Sequence, residues 1–206
     1  MKLSDDDYNF RAIIYKLIII KDKSLLDKVY KSKFYESADS ILTYCYVDNQ
    51  AGITFEYLCL FNSETMAMFV QEDRDYMYKI RFGSVTDTEI LIIDTDKSGN
   101  EVVDKHISLI NENYTIPNDI KEFRTWGFID HLRAKDFPDD IMTSVFKEGF
   151  GGEGMYVKLL KKENDKIFGQ LLNEPHQKLG IHLNDIIEVQ LGKDEDGIVR
   201  CYHDCQ

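Results

Sequence analysis

The stretch Ile41-Leu42-Thr43-Tyr44-Cys45-Tyr46-Val47-Asp48-Asn49-Gln50-Ala51-Gly52-Ile53-Thr54-Phe55-Glu56-Tyr57-Leu58-Cys59-Leu60-Phe61 decides the fold class. Two runs rich in β-branched and aromatic residues, Ile41–Val47 and Ile53–Phe61, flank a short polar link that ends in glycine. Such runs are strands, and such a link is a hairpin connection. Toward the C-terminus, Thr65–Val70, Tyr76–Phe82, Glu89–Ile93 and Val102–Ile110 continue the series. Polar links separate them at Gln71–Asp75, Gly83–Asp87 and Asp94–Asn100. Short strands joined by short turns predict an antiparallel meander, because parallel strands need long crossovers. Met and Ala leave Thr65–Val70 a helical alternative.

Toward the N-terminus, Phe10–Ile20 reads as a buried strand. Ser24 then reads as an N-cap, with Leu25, Leu26, Val29 and Phe34 following at helical spacing, which predicts a helix over about 24–36. Beyond the meander, Asn118 is the expected N-cap of a second helix over 119–132, with Ile120, Phe123, Phe128 and Leu132 facing inward. Asp136-Phe137-Pro138 stops it. Strand-like runs follow at Ile141–Phe146, Met155–Leu160, Ile167–Leu172, Asp185–Leu191 and Ile198–Tyr202. The expected class is therefore α+β, mostly antiparallel sheets with two helices. The expected organisation is an N-terminal α+β region over 1–115 and a C-terminal helix with a small curved sheet over 116–206, with a single domain as the alternative.

A chain of 206 residues can bury a core without disulfides or metal. Its net charge of −12 opposes binding to phosphate backbones and to anionic membranes, and favours a basic partner. Three acids, Asp5-Asp6-Asp7, stand where a secretory signal would carry positive charge, and the apolar run Ala12–Ile20 is too short to span a bilayer. The expected compartment is the cytoplasm of a bacterial cell.

Motif-like strings fail on context. Gly149-Phe150-Gly151-Gly152-Glu153-Gly154 matches a dinucleotide loop by letter, but the strand-like Met155–Leu159 follows where a helix must begin. Asp94-Thr95-Asp96-Lys97-Ser98-Gly99 resembles the start of a calcium loop, but Lys105 occupies the position of the bidentate glutamate. Cys201, His203 and Cys205 share one side of a strand, yet their spacing is not that of a zinc knuckle and no second pair follows. No metal, no cofactor and no catalytic residue is expected.

From Phe137 to Val189 the chain carries its one distinctive signature: Phe137-Pro138-Asp139-Asp140-Ile141, then Glu153-Gly154-Met155-Tyr156-Val157-Lys158, then Gly169-Gln170-Leu171-Leu172-Asn173-Glu174-Pro175, then Gly180 to Ile187. This resembles bacterial domains of unknown function of the YegJ-like type. Tyr156 stands where those domains carry tryptophan, and Asn184 where they carry glycine, a change that asparagine's tolerance of positive φ permits. Related domains occur among toxin-immunity proteins, so the resemblance implies protein binding, and it brings no catalytic residue with it.

The binding candidates are Asp139, Asp140, Glu153, Tyr156, Asn173, Glu174 and His176, on or next to the loops Phe137–Asp140, Gly149–Gly154 and Asn173–His176, whose polar groups would line a cleft. The alternative for Asn173, Glu174 and Asp185 is that they fix loops. The leading expectation is a non-enzymatic, immunity-type protein that binds a basic protein partner. A small hydrolase using Glu174 or the Asp139/Asp140 pair is the runner-up, and a structural or regulatory module is the third reading. The composition leaves the oligomeric state open. Four cysteines in a cytoplasmic chain are expected to be free thiols, so thiol counting in denaturant should return four, and a lower count would mean a disulfide.

Overall fold

The computed structural model describes residues 1–5, 8–29, 35–71, 78–93, 95 and 97–205. Strand dominates it, 40% against 22% helix. The chain divides into two units, Met1–Thr115 and Ile116–Gln206.

In the first unit the order is β1 (Leu17–Ile20), α1 (Lys23–Val29), β2 (Ser40–Asp48), β3 (Gly52–Asn62), β4 (Ala67–Phe69), β5 (Lys79–Arg81), β6 (Ile90–Ile93) and α2 (Glu101–Asn113). The sheet runs β4-β3-β2-β1-β6, with β5 also on β3, and every pairing is antiparallel. The quoted hairpin is its centre: Asp48 pairs with Gly52, whose φ of 68° suits glycine. Both faces are covered, so β2 is buried at eight successive positions instead of alternating. One face packs Ile18, Ile20, Ile41 and Phe55 with Leu25, Leu26 and Val29 of α1. The other packs Leu17, Leu42, Tyr44 and Tyr46 with Val103, Ile107 and Ile110 of α2.

Three expectations for this unit are corrected. The run Val102–Ile110 is helix, not strand. Its β-branched residues favour strand, but Val103, Ile107 and Ile110 recur at helical spacing, and the Asn100 side chain accepts the Val102 and Val103 N–H groups as an N-cap. Phe10–Ile20 is not one strand: a 3-10 turn over Phe10–Ala12 and a left-handed Tyr15 (φ 60°) precede the four residues of β1. The cap of α1 is Asp22 rather than Ser24, since Asp22 Oδ1 accepts the Ser24 and Leu25 N–H groups. The continuation of α1 through Phe34 lies outside the described residues.

The second unit contains α3 (Asn118–Thr125), a 3-10 helix (Gly127–Leu132), β7 (Asp140–Lys147), β8 (Glu153–Glu163), β9 (Lys166–Leu171), β10 (Ile186–Lys193) and β11 (Val199–Cys205). Here the expected small curved sheet is corrected to a closed five-stranded barrel in the order β10-β11-β7-β8-β9. The strands form a meander, each antiparallel to the next. With an odd number of alternating strands the first and last run the same way, so the closing pair β7–β11 must be parallel, and it is. The expected α+β class with two helices is corrected as well: strand outweighs helix, one sheet closes into a barrel, and three α-helices and four 3-10 helices are present among the described residues.

The barrel interior follows the two-residue period of each strand: Ile141, Thr143 and Val145, then Met155, Val157 and Leu159, then Ile167 and Leu171, then Ile187 and Val189. At Gly169 an added Cβ would lie 2.4 Å from Val157 Cγ1 and 2.8 Å from the Lys158 carbonyl, so only glycine fits beside the irregularity in the β8–β9 register. Ile120, Phe123, Ile129 and Leu132 join this core. The expected continuous helix over 119–132 is broken at Trp126, and Phe128 stands 50% exposed rather than inward, because the 3-10 geometry after Gly127 turns it away.

Arg124 of α3 binds Asp139 through Nε–Oδ1 at 2.8 Å and a second bond of 2.6 Å, and both residues are buried. Removing the guanidinium would leave an uncompensated carboxylate in the core. Arg124→Ala is expected to destabilise the protein by about 3–5 kcal/mol in chemical denaturation. A loss below about 1 kcal/mol would show that water reaches Asp139 freely.

Candidate functional site

The outer face of the barrel carries a patterned surface on β7, β8, β9 and the start of β10. Interior positions of β7 are odd-numbered, so Asp140, Met142, Ser144 and Phe146 face outward. On β8 the outward positions are Gly154, Tyr156 and Lys158. The register aligns them in rows across the ladder. Met142 is opposite Tyr156, and Leu172 follows on the far side through its N–H bond to the Tyr156 carbonyl. The next row is Asp140, Lys158, Gln170 and Ile186. Neighbouring strands are about 4.8 Å apart, so side chains in a row are in reach of one another.

Several of these side chains are apolar and open to solvent: Tyr156 is 40% exposed, Phe146 46% and Ile186 52%. Glycines in the Gly149–Gly154 segment shape this surface. A Cβ on Gly152 would fall 2.5 Å from the Phe146 ring, and one on Gly154 would fall 3.2 Å from Met142 Sδ. The segment joins β7 to β8 and lets these two side chains lie close to the β8 backbone; it holds no helix N-terminus for a phosphate.

The sequence candidates separate in this frame. Tyr156 lies on the surface, and Asp140 lies at its flank. Asp139 is one residue away in the chain but buried in the Arg124 ion pair. Glu153 accepts the backbone N–H groups of His176 (2.9 Å) and Gln177 (3.2 Å), which ties the 172–177 loop to the start of β8. Asn173 accepts the Tyr156 N–H at 3.1 Å. Glu174 accepts the Leu183 N–H at 2.7 Å and meets His182 Nδ1 at 2.8 Å, while Asp185 accepts the His182 N–H. These three carboxylates and one amide brace the arch between β9 and β10, and Asn184 closes it at φ 75°. His176 is exposed. Met142, Phe146 and Leu172 were missed in the sequence. The available signal was apolar residues at both parities of one strand, as in Ile141-Met142 and Val145-Phe146.

Electrostatics mark Asp140. Burial pushes its carboxyl up to about 6; Lys158 opposes this, and Asp139 and Asp136 add to it. Glu174 is held below the usual carboxylate range, first by the Leu183 N–H and then by His182, whose imidazole is correspondingly raised.

In the first unit a second set of polar groups meets on the α2 side of the sheet. Glu56 is 0% exposed; its carboxylate accepts the Tyr46 hydroxyl at 3.1 Å and the His106 Nε2–H at 2.9 Å. Burial, and after it the Glu56 charge, raise the Tyr46 phenol. Lys79, Tyr114 and Asp48 continue the network. Each group is satisfied by another, and the network fastens α2 to β2, β3 and β5.

Among the described residues no group of three or more His, Cys, Asp and Glu side chains is placed to hold a metal. Burial pushes the Cys201 thiol up to about 12 and raises Cys205. No described helix is long and apolar enough to cross a membrane. Comparison with protein-family models, with curated proteins and with solved structures gives no match to this chain.

The raised Asp140 carboxyl has a pH signature. Its folded value of about 6 exceeds the ordinary 3.8, so between these values the folded state holds more protons than the unfolded one. Its contribution to stability is therefore full below about pH 4 and lost as pH rises through about 6. Asp140→Asn should raise the melting temperature at pH 7, and the gain should vanish as pH falls toward 4. An equal change at both pH values would show that Asp140 is an ordinary surface carboxylate.

Proposed function

We propose that this chain is a non-enzymatic binding protein whose C-terminal barrel receives a basic protein partner on the outer face of β7, β8, β9 and the start of β10. The observation that carries the reading is the exposed apolar set of Phe146, Tyr156 and Ile186 on the outer face of one sheet, with Ile186 in the ladder row of the partly buried carboxylate of Asp140 and Tyr156 in the next row. Exposed aromatic and aliphatic side chains that share one rigid sheet present area whose burial costs little conformational entropy.

Charge selects the partner class. The chain carries −12, and residues 116–206 hold twelve Lys and Arg against seventeen Asp and Glu, a net −5. A second copy or a nucleic acid would be repelled, whereas a basic protein is steered in. The YegJ-like resemblance, with its relatives among toxin-immunity proteins, supports the same class: a protein that neutralises a basic partner by covering it.

The hydrolase alternative draws on one feature, the raised carboxyl of Asp140. The other acids assigned to it, Asp139 and Glu174, are held by Arg124 and by the arch.

The test is affinity capture from the native host with the immobilised chain, wild type against Phe146→Ser/Tyr156→Ser, with identification of what is retained. A basic protein should be retained by the wild type and retained about tenfold less by the double variant, since two central aromatic contacts are lost. Its association rate should fall by about tenfold from low to high salt. Equal retention by both chains, or retention of an acidic protein, would overturn the reading. Turnover in a hydrolase screen that Asp140→Asn abolishes would replace it with the enzyme.

A further inference from the structure

We draw no further inference here: the strongest candidate, the cleft of about 330 Å³ where β10 and β11 part beyond Gln190 and Tyr202, lined by Leu179, Ile181, His203 and Cys205, selects no class of ligand, because Lys166 already pairs with Glu188 and Lys147 with the Leu179 carbonyl, and Asp204 lies on the opposite face of its strand from His203 and Cys205.

Discussion

The closure of an odd-stranded meander is the constraint on which the C-terminal unit depends. Five alternating strands can join into a cylinder only if the last lies parallel to the first, and β11 meets β7 that way. Closure removes the open edges that a five-stranded sheet would otherwise present, and it puts one residue of every two in a dry interior. The parallel pairing also draws the end of β11 toward β7 and away from β10. The parted seam is the local cost of that closure, and the cleft lies there because β11 cannot follow both neighbours to its end.

Burial inside the barrel and exposure outside it are two readings of the same alternation. Ile141, Thr143 and Val145 point inward because the core needs them, and Asp140, Met142 and Phe146 point outward as a consequence. What distinguishes this barrel is that the outward set is not simply polar. Phe146 and Met142 settle near β8 only because Gly152 and Gly154 leave room for them. The glycines that look like a phosphate loop by letter thus serve side-chain packing across a ladder.

The acidic residues divide into distinct roles through their surroundings. Asp139 is locked to Arg124, Glu153 and Glu174 hold backbone N–H groups, and Asp140 sits where burial works against its charge. Residues of the same type, close in sequence, differ because hydrogen-bond donors reach some carboxylates and not others. In the first unit Glu56 is carried in a fully buried position by Tyr46 and His106, with the same logic of mutual satisfaction.

By itself the sequence determined the local elements whose signals are short-range. The hairpin at Asp48–Gly52, the strands around Met155, Ile167 and Ile187, and the turn at Asn184 follow from β-branched runs, polar links and residues that tolerate positive φ. Where two local signals compete, as in Glu101–Asn113, β-propensity misleads and the spacing of Val103, Ile107 and Ile110 decides, because burial against a sheet outweighs propensity. Of the proposed binding residues, Tyr156 and Asp140 were singled out in the sequence through the motif and the acidic loop that hold them, but their place on one outer face with Met142, Phe146 and Ile186 was not legible, since cross-strand register is a long-range property. Tertiary structure alone decided that the sheet closes, that the closing pair is parallel, and that Asp139 is buried while its neighbour is not. Each of these depends on which distant strand or helix comes to lie beside a residue, and no pattern within the strand itself encodes that.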